Sequence, residues 1–410
     1  MSLILVSWEI GANYGHALGL LPAARELRRR GHKVVFALRD VRDAGAVLAA
    51  EGFAVLQAPF WPERRLRPNE QPASFAEILG LFGFYNAKAL SSMLAAWDSL
   101  YDFVQPDILV SSYAPVSLLA ARLRGIPVAL TGIGFEVPPD QSPVPSLRPW
   151  MKIPLARLQA AEQRVVDTLN QLGKPRGFEV KRYRELFNVE RIFLNTFREF
   201  DHYESREPVQ YDGALLVDDA GASPVWPDGK GRAIFAYLRP DIREFRPLLD
   251  AVRSLDVRLV LAAPGLSPQA AAALSDERIS VVPGPVGLGA ALRQAEVVIS
   301  YASHGVCAAA LLAGRPLLLL PQHLEQVLFA RRIAALGAGL RPPDTQAESI
   351  VKTLGRLLEE PAHTQLAQAF AEHYADYRPQ EQSLRMAAEI EQLAQTPLAV
   401  KKRRSGLGPA

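Results

Sequence analysis

Two short stretches of this 410-residue chain carry residue types at a spacing suited to chemistry. The first is Gly15-His16, which follows the apolar run Leu3-Ile-Leu-Val-Ser7 and the loop 9–15 and opens a helix. An imidazole titrates near neutrality, so a histidine at a strand's carboxyl end is suited to taking a proton from a hydroxyl. A helix-start histidine that only hydrogen-bonds has the same position. The second stretch is Ile299-Ser-Tyr-Ala-Ser-His304-Gly305-Val-Cys-Ala308, a strand, a tight turn and a helix N-terminus. Exposed amides and the positive end of the helix dipole make such a turn an anion site that fits a pyrophosphate. Many α/β proteins carry a similar turn.

A third group is aromatic. Phe60, Trp61, Phe75, Phe82, Phe84, Tyr85 and Trp97 crowd an insert over 60–103, and a second insert, 136–187, runs from a Pro-rich loop into a long helix. These rings either pack a core or form an apolar wall for a greasy substrate, because both inserts follow loops at the sheet's functional edge.

The elements that must position these residues alternate. Apolar runs of parallel-strand type at 3–7, 32–38, 53–56, 108–110 and 127–130 are separated by helical spacing at 18–30, 43–51, 75–103 and 116–124. The helix through Leu18, Leu21, Ala24 and Leu27 ends in a basic last turn, Arg28-Arg29-Arg30, and a glycine stop at Gly31. A second series follows, with strands at 233–238, 257–262, 278–282, 296–300 and 316–320 and helices at 244–254, 268–275, 287–293, 305–313 and 324–335. Alternating strands and helices with short loops predict parallel sheets covered on both faces. Between the series, 212–230 is rich in Gly, Asp, Ala and Pro, a linker composition. The expected organisation is an N-terminal Rossmann-like domain over 1–210, a linker over 211–231, a second Rossmann-like domain over 232–378, a helix over 379–395 that crosses back to the first domain, and a tail over 396–410. Such paired domains bind ligands outside the carboxyl ends of their strands.

Composition excludes several classes. With 49 % hydrophobic and 22 % charged residues the chain is an ordinary globular one. A single cysteine rules out an internal disulfide, and no Cys/His spacing suggests a zinc module. A net charge of +3 is too small for a general nucleic-acid field. Met1 to Trp8 reads as a strand and not as a signal peptide, and no run reaches the ~18 apolar residues of a membrane helix, so a cytoplasmic location is expected. The basic cluster Lys401-Lys402-Arg403-Arg404 reads as a frayed terminus or, alternatively, a membrane-surface patch.

Taken together, these stretches resemble the family 1 glycosyltransferases of the macrolide and antibiotic kind. The opening Gly15-His16, Leu21-Pro22, Leu27 and Arg30-Gly31-His32-Lys33-Val34 carries the first part of the likeness. Ser303-His304-Gly305, Gly314-Arg315-Pro316, Leu320-Pro321, Glu325-Gln326 and the run from Ala334 to Gly339 carry the donor signature, and Asp201-His202-Tyr203 and Pro283-Gly284-Pro285 fit as well. The resemblance implies a GT-B architecture, two Rossmann-like domains facing a cleft, with the acceptor on the first and a nucleotide sugar on the second. It implies an inverting transfer with no metal and no cofactor beyond the donor, UDP- or dTDP-linked, onto an apolar small-molecule or lipid acceptor. His16 matches the general base, Glu325 and Gln326 the pair on the donor sugar, Val286 the backbone under the nucleobase, and His304, Gly305, Val306 and Cys307 the phosphate-holding helix start. The family's phosphate histidine falls on Tyr301 and its two following glycines on Ala302 and Ser303. A tyrosine carries no positive charge, so Arg239, in Ala236-Tyr-Leu-Arg239-Pro240, is a candidate replacement. The acid that orients the base falls on Ser112, which leaves Ser112 itself, Glu9 or Glu136 to hold the imidazole. Trp61, Phe82, Phe84, Tyr85, Ser112 and Glu136 are the expected acceptor-side residues. The resemblance leaves the protomer a monomer or a homodimer with at most peripheral membrane contact. A nucleotide-sugar 2-epimerase and a catalytically weakened homologue that binds a partner enzyme stand as alternatives.

Overall fold

A computed structural model describes residues 1–11, 15–42, 44–61, 71–204, 206–216, 221, 223–284 and 286–396. The tail cluster Lys401–Arg404, Pro285 and part of the linker lie outside the described residues. The chain forms two compact units, one comprising Met1–Asn195, Ser205–Gln210 and the segment from Gln380 on, the other Thr196–Glu204 and Tyr211–Pro379.

The first unit holds a six-stranded parallel sheet: β1 (Leu3–Trp8), β2 (Lys33–Leu38), β3 (Ala54–Gln57), β4 (Ile108–Ser112), β5 (Val128–Gly132) and β6 (Arg191–Leu194), in the order β3-β2-β1-β4-β5-β6. Every residue of β4 and β5 is buried, which explains the apolar runs Ile108–Val110 and Val128–Leu130 with which they begin, because helices cover a parallel sheet on both faces. The helix Leu21–Arg29 has a proline in its first turn, buries Leu21, Ala24 and Leu27, and ends on Arg28 and Arg29.

The helix expected over 75–103 is broken. A short helix Phe75–Leu79 leads into a π turn Gly80–Phe84, and a new helix, Ala87–Val104, starts at Asn86, whose side chain accepts from the Ala89 amide. Gly83 sits in the left-handed region at φ +94°, with the Trp61 ring close against it. The glycine ends one helix and the Asn cap begins the next, which periodicity alone does not resolve.

The second unit repeats the topology with β7 (Arg232–Tyr237), β8 (Val257–Ala262), β9 (Ile279–Val282), β10 (Val297–Ser300), β11 (Leu317–Leu319) and β12 (Gly339–Leu340), ordered β12-β11-β10-β7-β8-β9 and all parallel. Successive strand residues alternate between two buried faces. Phe235, Val260, Val298 and Leu319 pack on one, and Ile234, Leu259, Ile299 and Leu318 on the other.

The units differ from the sequence reading at two points: the second unit takes in Thr196–Glu204 and also the expected linker from Tyr211 on, whose Ala214 is buried in its core. Thr196–Glu204 belongs to the second unit because Phe197 and Phe200 are buried in its core, Phe200 stacked on Phe370 at 4.9 Å. The helix Pro379–Gln395 is fixed to the first unit by Glu389, 2.6 Å from Arg191, and by Glu391, 2.8 Å from both Arg30 and His32. No helix among the described residues is long and apolar enough to cross a membrane.

Candidate functional site

In each sheet the strand order reverses once, between β1 and β4 and between β7 and β10. At such a switch point the loops leaving neighbouring strands diverge to opposite faces and leave a crevice outside the carboxyl ends. The candidate residues gather at these two points.

In the first unit His16 is the second residue of a one-turn helix, Gly15–Leu18. Its ring is stacked on Trp8 (centroids 5.6 Å apart, planes 20° apart) and tilted against Tyr113 at 5.8 Å. Trp8 is itself fixed, its Nε1 donating to the Ile10 carbonyl at 2.6 Å. Gly11, at φ +94°, makes room for the imidazole, since a Cβ there would stand 2.7 Å from Nε2. His16 Nδ1 lies 3.4 Å from Glu136 Oε1, with the His16 side chain 19 % and the Glu136 side chain 7 % exposed.

Of the three groups considered for holding the imidazole, the structure brings Glu136 to the ring. The Ser112 hydroxyl instead donates to the His16 main-chain carbonyl at 3.2 Å. Glu9 is committed elsewhere, buried at the start of the helix Pro115–Arg124, where it accepts from the amides of Val116 (2.9 Å) and Ser117 (2.6 Å). Burial pushes its carboxyl up to about 8 against the opposing pull of those amides. Glu136 hangs from the loop after β5, with its Oε2 accepting from the Ile133 amide at 3.1 Å. Two arginines brace that loop: Arg206 donates to the carbonyls of Gly134 (3.1 Å) and Val137 (2.8 Å), and Arg184 donates to that of Pro138 (2.8 Å). A small recess beside Glu136 is lined by Phe75, Tyr113, Leu118, Leu130 and Phe187.

The expected acceptor wall is only partly surface. Trp61 and Phe82 are half-buried, and Tyr85, also half-buried, lies under the Arg164 guanidinium at 3.8 Å, its hydroxyl pushed up to about 12 by burial. Phe84 is fully buried, so it is core and not wall. The π turn changes the helical phase between Phe82 and Phe84, so their shared character in the sequence does not survive folding.

In the second unit, Arg239, the 301–307 turn and Glu325 follow β7, β10 and β11, which are neighbours in the sheet. The turn is tight: Ala302, where the resemblance expects glycine, takes φ +63°, and the Ser303 amide donates to Ser300 Oγ at 3.2 Å. The helix His304–Leu312 begins there, so the amides of His304, Gly305 and Val306 have no acceptor within it. Cys307, by contrast, has no spare main-chain N–H. Its amide is spent on the Ser303 carbonyl at 3.0 Å and its thiol is fully buried, a state that pushes the thiol's titration up. Tyr301 is buried, 6.0 Å ring to ring from Tyr237, and burial likewise raises its hydroxyl. The His304 ring turns inward, Nε2 2.8 Å from Thr196 Oγ1, and burial pulls it down to about 3, so it brings no positive charge at neutral pH. Arg239 is 44 % exposed and bound along one guanidinium edge to Asp241, its Nε and Nη2 donating to Oδ1 and Oδ2 at 3.0 and 2.8 Å.

Glu325 stands in the first turn of the helix Leu324–Leu336, its Oε1 3.1 Å from His202 Nε2. Burial is the largest single influence and would raise this carboxyl, but the His202 hydrogen bond together with the charges of His202, His323 and His304 holds the group below the usual range. Gln326 is buried and turned into its own loop, accepting from the Gln322 amide at 2.9 Å. Val286 is half-buried, and the Gly221 main chain runs close against it, since a Cβ on Gly221 would fall 2.3 Å from the Val286 carbonyl carbon. Thr196, His202 and the two bracing arginines are site residues that sequence reasoning did not assign; of these only His202 had a signal, in Asp201-His202-Tyr203.

Two parallel six-stranded sheets, each wrapped by helices and reversing order once, constitute the GT-B fold of nucleotide-sugar glycosyltransferases. The glycosyltransferase VinC, solved with dTDP, superposes at a TM-score of 0.67 and 19 % identity over 96 % of this chain and 99 % of that one. Spinosyn rhamnosyltransferase SpnG matches at 0.65 and 20 %, over 97 % and 100 %. The calicheamicin glycosyltransferase CalG4 matches at 0.66 and 19 %, over 96 % and 98 %. Residues 246–389 match the family described as erythromycin biosynthesis protein CIII-like, C-terminal domain, and the fold around them is that of these solved glycosyltransferases. No curated protein sequence matches the chain.

Proposed function

We propose that this protein transfers a sugar from a dTDP- or UDP-sugar to a hydroxyl of an apolar small-molecule acceptor, inverting the anomeric centre without a metal. The observation that carries this reading is His16 at the carboxyl edge of the first sheet, its Nδ1 3.4 Å from the buried carboxylate of Glu136. That carboxylate favours the tautomer that leaves Nε2 unprotonated, and it stabilises the imidazolium that forms on proton transfer. His16 takes the acceptor hydroxyl's proton as the oxygen bonds to the anomeric carbon and the bond to the diphosphate oxygen breaks. The leaving diphosphate gains negative charge, which the amides of His304, Gly305 and Val306 and the dipole of their helix are oriented to stabilise. Arg239 is the nearest cation in the sequence to this turn's neighbouring strand end, and Glu325 offers a carboxylate to the sugar hydroxyls.

The similar structures point to the same substrate classes: SpnG has been solved with spinosyn aglycone and with thymidine diphosphate. Glu136 also weighs against a weakened homologue, since it restores the acid that Ser112 lacks. The test has two stages. Thermal shifts with dTDP, dTDP-glucose, dTDP-rhamnose, UDP and UDP-glucose identify the donor, because a ligand of the native state raises the melting temperature. Product formation from an aglycone panel is then compared between wild type and His16→Ala, with a fall of ~10²–10⁴-fold expected for loss of a positioned base. A fall below tenfold removes His16 from the role, and free epimerised sugar nucleotide in place of transfer product overturns the reading.

A further inference from the structure

Asp201-His202-Tyr203 takes no part in the reaction above, yet its surroundings are built. Asp201 is 1 % exposed and locks the turn, with Oδ1 accepting from the Tyr203 amide at 3.0 Å and Oδ2 from the Tyr211 hydroxyl at 2.9 Å. Phe197 and Phe200, just upstream, are anchored in the core of the second unit. Between these fixed points the His202 side chain is fully buried, its ring stacked on Phe329 (5.9 Å, 19°). Phe329 lies one helical turn beyond Glu325 on the same face, so one ring contact and one hydrogen bond set His202 against the first turn of that helix.

We propose that His202 is a positioning residue for donor-sugar recognition, donating from Nε2 to Glu325 Oε1 and thereby presenting the other carboxylate oxygen to the sugar hydroxyls. The inference rests on the reading of Glu325 as a contact of the donor sugar. A glutamate at a helix start has three rotatable torsions, and ordering it on binding costs free energy. A buried partner that holds one oxygen removes most of that cost in advance and leaves the second oxygen as the acceptor. His202 would therefore affect the sugar's share of donor affinity and not the nucleotide's.

The test measures dissociation constants by calorimetry for dTDP and dTDP-glucose, and for UDP and UDP-glucose, on wild type, His202→Phe, His202→Gln, His202→Asn, Glu325→Gln and the double variant His202→Phe/Glu325→Gln. Phe keeps the ring on Phe329 without the donor, Gln places an N–H near the Nε2 position, and Asn is too short to reach. For the nucleotide sugar that wild type binds, His202→Phe and His202→Asn should weaken binding at least fivefold while binding of the bare nucleotide stays within twofold, and His202→Gln should stay within threefold of wild type. The double variant should be no weaker than Glu325→Gln alone. Equal losses for sugar nucleotide and bare nucleotide would show a merely structural role and overturn the proposal. So would Glu325→Gln weakening the sugar nucleotide while His202→Phe and His202→Asn do not. If Glu325→Gln itself changes neither affinity, the reading of Glu325 falls and the inference falls with it. Should His202→Phe not fold, the contrast of Gln with Asn decides alone.

Discussion

Replacing Glu136 by glutamine removes one charge and keeps the shape, so it isolates what the carboxylate does for His16. In the transition state the imidazole gains a positive charge 3.4 Å from that carboxylate. At an effective dielectric near 20, two unit charges at this separation attract by about 5 kcal/mol, an upper bound. The His16 side chain is 19 % exposed, so water screens part of it. Hydrogen bonds to charged groups contribute about 1.5–3 kcal/mol net, the more realistic figure. At ~1.4 kcal/mol per tenfold in rate this lowers kcat by roughly 10- to 150-fold. The Ile133 amide that Oε2 accepts from can still be satisfied by the glutamine carbonyl, so the loop braced by Arg206 and Arg184 should keep its place. The assay is steady-state release of nucleoside diphosphate with an accepted aglycone, repeated in the His16→Ala background. The expected result is a lowered kcat, an unchanged KM for donor, and little further loss when His16 is already absent. A kcat within threefold of wild type, or an equal loss with and without His16, refutes the pairing.

Gly11→Ala places a methyl 2.7 Å from His16 Nε2 at a residue with φ +94°. The backbone strain alone is ~1–2 kcal/mol, so a melting temperature lowered by a few degrees and a kcat lowered at least tenfold are expected; an unchanged kcat would show that the ring is not held there. Asp241 neutralises one edge of Arg239, so Asp241→Asn should tighten binding of the bare nucleoside diphosphate by up to about fivefold, the worth of an exposed ion pair. Arg239→Ala should weaken it, and no change in either variant assigns the diphosphate to the backbone amides. Glu26, hydrogen-bonded by Arg29 and Arg30, is held down to about 2. Its folded value is depressed, so its contribution is full above the ordinary 4.5 and is lost as pH falls from there through 2. The stability gap between wild type and Glu26→Gln in urea should therefore narrow between pH 6 and pH 3, and a gap independent of pH contradicts the assignment.

Much of the architecture is determined locally. The apolar runs that became β1, β4, β7 and β10 and the helical spacing between them are short-range patterns, and parallel sheets buried on both faces leave little alternative to that alternation. The helix starts at Gly15-His16 and Ser303-His304 are local for the same reason: a strand, a turn and a helix are adjacent in the chain, so their amides and side chains reach the switch points by connectivity alone. Local pattern failed where a break shifts the phase. Gly83 and the π turn put Phe84 in the core while leaving Phe82 half-buried, and nothing in an aromatic-rich string encodes that difference. It failed also wherever function depends on a pair. Glu136 lies 120 residues from His16 and was one of three open choices, and Ser112 and Glu9 were removed only when the folded chain gave them the His16 carbonyl and the Val116 and Ser117 amides instead. His202 meets Glu325 across 123 residues. Buried polar groups must find partners, and which partner each finds is decided by the packing that removes water from both. Only the tertiary structure contains that information.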